Sequence, residues 1–140
     1  MPGKADSLPD TNALLRYLLR DNPVQYEEAE RYFDSIRTGG KKALLLESVL
    51  VECVYVLTKF YQVPKSEAVE ALSALLRYKG IVNDDKDILL DALALFAAEN
   101  IDLVDCILLA AARHTQIRLF SFDKKLIKLS GRAGKSSPAR

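Results

Sequence analysis

The 140-residue chain contains a single histidine, His114, only two cysteines, Cys53 and Cys106, and no tryptophan. A catalytic serine or cysteine usually needs a histidine base, and His114 follows Arg113 at the end of a predicted helix, where an exposed position is expected. Both cysteines lie inside apolar segments without metal-ligand spacing, so we expect buried free thiols. These scarcities argue against histidine-assisted nucleophilic catalysis, zinc binding and a disulfide framework.

Long hydrophobic runs are also missing. No stretch of about 18 uncharged apolar residues exists, and the first residues, MPGKADSLPD, lack the apolar segment of a signal peptide. Neither a membrane span nor export is therefore predicted, and the cytoplasm is the expected location. With 49% apolar and 28% charged residues, the composition is that of an ordinary globular protein with one domain, which we place at residues 1–130.

The formal net charge is only +1, but the basic residues are unevenly distributed. Residues 118–140 hold seven Lys or Arg and a single acid, Asp123. A basic end can attract a polyanion, or it can simply be a solvated tail. We predict a basic flexible tail over residues 131–140, which are mostly small or polar, and both interpretations stay open for Lys124 and Lys125.

Helix and strand signals alternate along the chain. The clearest helix, DNPVQYEEAERYFDSIRTGG, has Asn22 as its expected N-cap, Pro23 at its first position and Gly39 or Gly40 as its stop. Further helices are predicted over residues 12–20, 49–60, 65–80, 84–100, 103–114 and 123–130. Short strands are predicted over 42–48, 81–83 and 117–122, the last being IRLFSF. This order predicts an α/β fold with a short central parallel sheet flanked by helices on both faces.

Isolated acids occur where predicted strands lead into helices, which is where parallel sheets bind ligands. They are Asp10, Glu52, Asp105 and Asp123. Glu52 is the only charged residue between Val49 and Leu57, in a helix that is apolar on all sides, so we expect it to be buried. A buried carboxylate usually needs a partner or a metal ion, which favours a functional role.

The other three acids also have purely structural interpretations. Asp10 stands where an N-cap is expected, and Asp102 with Asp105 can form a capping box at the start of their helix. Asp123 can close an Asx-turn after the predicted strand. The sequence around each acid leaves the structural and the functional interpretation open.

Four segments in order, DTNALLRYLL, ESVLVECVYVL, LVDCILLAAAR and FSFDKKL, resemble the signature blocks of PIN-domain ribonucleases. The resemblance is greatest to the VapC toxins of bacterial toxin–antitoxin pairs, and it spans Asp10 to about Leu129. It implies that catalytic, metal-binding carboxylates are supplied by Asp10, Glu52, Asp105 and Asp123. It further implies supporting positions beside the site at Asn12, Ser121 and Asp102.

One departure from the family pattern concerns the first strand. The family normally has an apolar strand before the Asp-Thr-Asn block, whereas this chain has GKADSLPD, in which Pro9 cannot donate a backbone hydrogen bond. We therefore expect a short or irregular first strand.

A converging carboxylate set predicts a hard divalent cation, because the acids repel one another unless a cation or protons neutralise them. Oxygen ligands suit Mg²⁺ or Mn²⁺. The resemblance implies a metal-dependent endoribonuclease of the VapC toxin type, which cleaves RNA phosphodiester bonds and leaves a 5′-phosphate. It also implies a cognate VapB-like antitoxin and a homodimer.

A rival interpretation is a catalytically weak or inactive PIN scaffold that acts mainly as a protein-binding module. Apolar residues of the first two predicted helices would then line a groove for a partner helix, or they would simply belong to the core. These residues are Leu14, Leu15, Tyr17, Leu18, Tyr26, Tyr32 and Phe33.

Overall fold

The computed structural model describes residues 4–133 of the chain. These residues fall into two compact units that divide between Lys86 and Asp87. The first unit contains α1 (Thr11–Leu19), α2 (Pro23–Thr38), α3 (Glu47–Tyr55), a π-helical segment (Val56–Phe60) and α4 (Lys65–Leu76). Helix α5 (Lys86–Ala98) begins at the division, and α6 (Leu103–Thr115) and α7 (Lys124–Ala133) follow in the second unit.

Local chemistry predicts the N-caps of the first two helices and the end of the second. Asp10 caps α1, and Asn22 caps α2 by accepting a hydrogen bond from the Gln25 N–H, with Pro23 at the first helical position. Gly39 ends α2 with a φ of +90°, a left-handed conformation that glycine adopts without strain. The predicted caps of α2 are thus confirmed.

The predicted sheet is reduced to single parallel bridges in the first unit. Ala43 lies between Ser7 and Ile81 and forms one bridge with each, and no longer strand occurs over residues 4–133. Side chains interrupt the ladder on both sides of Ala43. The Asp6 carboxylate accepts a hydrogen bond from the Lys42 N–H at 2.9 Å, and the Asn83 amide pairs with the Leu45 backbone. The expectation of a short or irregular first strand is confirmed, because the segment before α1 forms a single bridge, at Ser7.

The prediction of a strand over residues 117–122 was wrong, since this segment has no regular secondary structure. Three of its apolar side chains, Ile117, Phe120 and Phe122, are exposed. Over residues 87–133, the second unit offers only α5, α6 and α7, so it provides no strand to pair with this segment. A strand requires a neighbour for its backbone N–H and C=O groups, and an apolar pattern alone cannot supply one.

Each unit buries its own apolar side chains. In the first, the largest fully buried residues include Leu14, Phe33, Ile36, Leu50 and Leu72. In the second, Leu109, Leu126 and Leu129 form a cluster against which Leu95, Ile101 and Leu119 pack. No helix within residues 4–133 combines the length and the apolar character that a membrane crossing requires.

The basic C-terminal segment begins inside a helix. Helix α7 runs through Ala133, which is past the start of the predicted tail at residue 131. The rest of that tail, residues 134–140, lies outside the described residues.

Candidate active site

Asp10 is the N-cap of α1 and is exposed. Its Oδ1 accepts a hydrogen bond from the Ala13 N–H at 2.8 Å, so the structural interpretation of this residue is confirmed. The cap uses one oxygen of the carboxylate, and Oδ2 accepts no hydrogen bond from the described residues. Capping therefore fixes the orientation of Asp10 and leaves an oxygen available to a ligand.

Glu52 lies beside the first residue of α1. The Thr11 hydroxyl donates a 2.7 Å hydrogen bond to Glu52 Oε1 across a separation of 41 residues in the chain. The structure thus brings Glu52 to the residue that follows Asp10, while Glu52 Oε2 accepts no hydrogen bond from the described residues. Sequence reasoning did not single out Thr11, although it is the middle residue of the Asp-Thr-Asn block.

The expectation that Glu52 is buried was wrong, since its side chain is exposed. Helix α3 buries Leu50, Cys53 and Val54, whereas Glu52 and Tyr55 face solvent. An all-round apolar composition does not reveal which face the rest of the protein covers. The carboxylate therefore keeps access to solvent, and its hydrogen bond to Thr11 fixes its position.

Three acids of the second unit lie near one another. Asp102 is the N-cap of α6 without a side-chain hydrogen bond, and Asp105 is half-buried in the first turn of that helix. Partial burial raises the pKa of Asp105, and repulsion from Asp102 and Asp123 raises it further. No capping box forms at this helix start. The charges of Asp102 and Asp123 therefore disfavour ionisation of Asp105, and a cation bound beside it would offset that effect.

Asp123 has the structural role that the turn pattern predicted. Its Oδ1 accepts hydrogen bonds from the N–H groups of Lys125 at 2.9 Å and Leu126 at 3.1 Å, at the start of α7. The Ser121 hydroxyl accepts a 2.9 Å hydrogen bond from the Asp123 N–H. Ser121 thus contacts the Asp123 backbone, while its supporting role at the site stays a prediction. Asp123 Oδ2 accepts no hydrogen bond from the described residues.

A cleft of about 440 Å³ opens in the first unit beside Asp10. It is bounded by the segment before α1 and by α1 and α2, and its lining includes Ser7, Asn12, Arg16, Glu28 and Tyr32. The Arg16 guanidinium uses Nη1 to contact Asp21 at 3.0 Å, while its Nε is buried without a hydrogen-bond partner. Asn12 is exposed at this cleft, next to the residues that position Asp10 and Glu52.

The available donors in both units are carboxylate oxygens. His114 is exposed and its Nε2 is hydrogen-bonded to Asp91, while Cys53 and Cys106 are buried free thiols. Burial, with a further contribution from Glu52, raises the pKa of the Cys53 thiol to about 12. The donor chemistry therefore fits Mg²⁺ or Mn²⁺ better than zinc. Within each unit, over the described part of the chain, no three His, Cys, Asp or Glu side chains form a metal-binding group, so the implied metal set stays a prediction.

The apolar residues proposed for a partner groove divide between two environments. Leu14, Leu15 and Phe33 are buried in the core. Tyr17, Leu18, Tyr26 and Tyr32 are half-buried. The Tyr17 hydroxyl is hydrogen-bonded to the Tyr78 hydroxyl, and the Tyr32 hydroxyl to the Ser7 hydroxyl. The core interpretation thus holds for the buried three, while Tyr32 also lines the cleft.

Comparison with known proteins identifies a family over most of the chain. The sequence profile of the PIN domain matches residues 7–132. The chain is 25% identical over 123 residues to a protein named VapC ribonuclease from Aquifex aeolicus (strain VF5), covering 87% of this chain and 90% of the relative. No solved structure matches the chain significantly. The resemblance to VapC-like PIN ribonucleases is thereby confirmed, and the chain belongs to the PIN domain family.

Proposed function

We propose that this protein is a metal-dependent endoribonuclease, a toxin of the VapC type that cleaves RNA phosphodiester bonds with Mg²⁺ or Mn²⁺. The name of the Aquifex aeolicus relative supports the reaction class. The observation that carries the proposal is the carboxylate arrangement around Asp105, whose pKa is raised by partial burial and by Asp102 and Asp123. Acids with perturbed pKa values cluster at functional sites, which supports a role for Asp105 in the reaction.

Three of the four proposed metal ligands, Asp10, Glu52 and Asp123, are each held in place by a local hydrogen bond. The backbone of α1 holds Asp10, the Thr11 hydroxyl holds Glu52, and the first turn of α7 holds Asp123. In each of these residues one carboxylate oxygen accepts the structural hydrogen bond, and the other accepts none from residues 4–133. Preorganisation of this kind reduces the entropy lost when a ligand binds.

The cation would be held by Asp10, Glu52, Asp105 and Asp123, with Asn12, Ser121 and Asp102 as supporting residues. When bound, it would supply an activated water and would neutralise charge on the phosphodiester. A bound cation would lower the pKa of Asp105, because its positive charge offsets the repulsion from Asp102 and Asp123.

The sharpest test compares wild-type protein with Glu52→Gln and Asp105→Asn. Both changes remove a ligand charge and nearly preserve the side-chain shape. We expect metal-dependent cleavage of a mixed cellular RNA pool to fall at least about 100-fold for each, or roughly 3 kcal/mol in the barrier. EDTA should abolish wild-type activity.

Matched controls are Glu47→Gln and Asp87→Asn, which alter acids in the first turns of α3 and α5. Neither acid belongs to the proposed metal set, so both controls should cleave like the wild type. Equal activity in all five proteins, or activity that survives EDTA, would overturn the metallonuclease proposal.

The cleft beside Asp10 favours a second candidate function, that of a catalytically weak or inactive PIN scaffold that binds a protein. The cleft holds polar groups, including Arg16 with its unpartnered Nε, that a partner chain can satisfy. For a toxin of the VapC type, we propose a VapB-like antitoxin as the cognate partner and a homodimer as the assembly. Absence of cleavage in the wild type with Mn²⁺ would favour this second function.

A further inference from the structure

The paired segments of the first unit begin at an edge that is rich in positive charge. Ala43 forms parallel bridges with Ser7 and Ile81, so the residues before these three share one edge and the residues after them share the other. Asp10 belongs to the second edge, together with Glu52, which is hydrogen-bonded to the next residue after Asp10. The first edge, with the ends of α2 and α4, carries five cations that we call the basic edge: Arg37, Lys41, Lys42, Arg77 and Lys79.

Backbone contacts inside the first unit hold the basic edge together. The Lys79 N–H donates a hydrogen bond to the Arg37 carbonyl at 3.3 Å. A Cβ atom on Gly39 would lie 2.9 Å from Lys79 Cδ, so the Lys79 side chain lies against the end of α2. A Cβ atom on Gly80 would lie 2.1 Å from the Lys41 carbonyl oxygen, so the two basic segments are in direct contact.

Helix ends account for only part of this charge. Cations are favoured at helix C-termini, and Lys42 Nζ donates to the Gly39 carbonyl at 3.4 Å in this way. Arg37 is paired with Asp34. The side chains of Lys41, Arg77 and Lys79, by contrast, form no hydrogen bond or ion pair with residues 4–86. Like charges held close together repel one another, so this edge favours the binding of an anion.

The residue types at the basic edge indicate a polyanion rather than a protein partner. Apart from Tyr78, residues 37–42 and 77–80 are glycine, threonine, lysine or arginine. The Tyr78 hydroxyl is hydrogen-bonded to the Tyr17 hydroxyl at 2.6 Å. Protein interfaces are centred on apolar and aromatic anchors, which these segments do not supply. Lysines suit phosphate groups, which they contact as point charges without reading sequence.

We propose that the basic edge docks the phosphate backbone of RNA at a distance from the site of cleavage. The choice of RNA rests on the proposed function. From Lys42 to Glu47 the chain crosses from one edge to the other, a span of about 15 Å at about 3.3 Å per extended residue. An RNA strand that reaches both edges therefore extends well past the bond that is cut, and its contact with the basic edge needs no metal ion.

The test measures binding without cleavage. Fluorescence anisotropy in EDTA, with a labelled RNA of about 20 nucleotides, gives Kd at several salt concentrations for the wild type, Lys41→Gln and Lys79→Gln. Each substitution removes one phosphate contact, so we expect Kd to rise at least about threefold and its salt dependence to fall by about one counterion. Lys79→Arg keeps the charge and should bind like the wild type.

Arg31→Gln is the matched control, because it removes the same charge from the middle of α2, outside the basic edge. This variant should leave Kd unchanged. A lysine-reactive acetylating reagent, read by mass spectrometry, tests the edge without any substitution. Lys41 and Lys79 should be acetylated in the free protein and protected when RNA is bound.

Several results would overturn the proposed role of the basic edge. They are unchanged Kd in both glutamine variants, equal weakening by Arg31→Gln, absence of RNA binding by the wild type, Lys41 and Lys79 that resist acetylation in the free protein, or tighter binding of poly-glutamate than of RNA. Failure of the proposed function is distinguishable. Wild-type protein that binds RNA through this edge in EDTA but never cleaves it with Mn²⁺ refutes the nuclease alone, whereas cleavage with unchanged Kd in both glutamine variants refutes the basic edge alone.

Discussion

Replacement of Asn83 by alanine should destabilise the first unit strongly, because this side chain acts as a backbone partner. Asn83 is 9% exposed, and its Oδ1 accepts a hydrogen bond from the Leu45 N–H at 2.9 Å. Its Nδ2 donates to the Leu45 carbonyl at 2.7 Å and to Asp85 Oδ1 at 3.0 Å. The amide therefore continues the pairing that the bridge at Ala43 begins.

The size of the effect follows from the groups that are left behind. Leu45 is fully buried, so Asn83→Ala leaves the Leu45 N–H and C=O groups without a hydrogen-bond partner and out of reach of water. Each unsatisfied buried group costs about 1–3 kcal/mol, and partial relaxation brings the expected total to about 3 kcal/mol. At about 3 °C per kcal/mol for a chain of this size, Tm should fall by about 10 °C.

Urea unfolding and thermal melting followed by circular dichroism would measure both quantities. Asn100→Ala is the matched control, because Asn100 is exposed, and its free energy of unfolding should change by no more than about 0.5 kcal/mol. A loss below about 0.5 kcal/mol for Asn83→Ala would refute the argument that this side chain replaces a strand partner.

The remaining predictions concern the site acids and the thiols. Mn²⁺ or Mg²⁺ at millimolar concentration should raise Tm, because a ligand of the folded state alone stabilises it, and a melting curve indifferent to both would contradict the metal site. The pKa of Asp105 is raised in the folded protein. The free energy of unfolding should therefore fall as pH rises from below the pKa that Asp105 has in the unfolded chain through the pKa that it has in the folded protein. In EDTA, Asp105→Asn should therefore be at least as stable as the wild type at neutral pH. A clearly lower Tm for this variant would refute the repulsion of Asp105 by Asp102 and Asp123. Cys53, with a pKa of about 12, should resist iodoacetamide at pH 8 until urea unfolds the chain, and mass spectrometry would reveal labelling of the folded protein as the contrary result.

The sequence by itself determined the features that depend on neighbouring residues. Asp10 and Asn22 cap their helices because their side chains reach backbone N–H groups three residues on, and Gly39 ends α2 because it tolerates a positive φ. Asp123 caps α7 for the same local reason. The ordered blocks around the acids also identified the family, since such a resemblance needs only residue types and intervals.

Only the tertiary structure decided the features that depend on distant residues. Which face of α3 is covered depends on its packing, so the exposure of Glu52 and its hydrogen bond to Thr11, 41 residues away, could not be derived from an apolar helix pattern. Residues 117–122 have the apolar and aromatic composition of a strand, yet pairing requires a partner that the second unit does not contain among its described residues. The Asn83 amide satisfies the hydrogen-bonding groups of the Leu45 backbone. Any buried amide at the right distance has the donor and acceptor for this role. Local sequence does not identify the residue that fills it, because the contact forms only when folding brings Asn83 to Leu45.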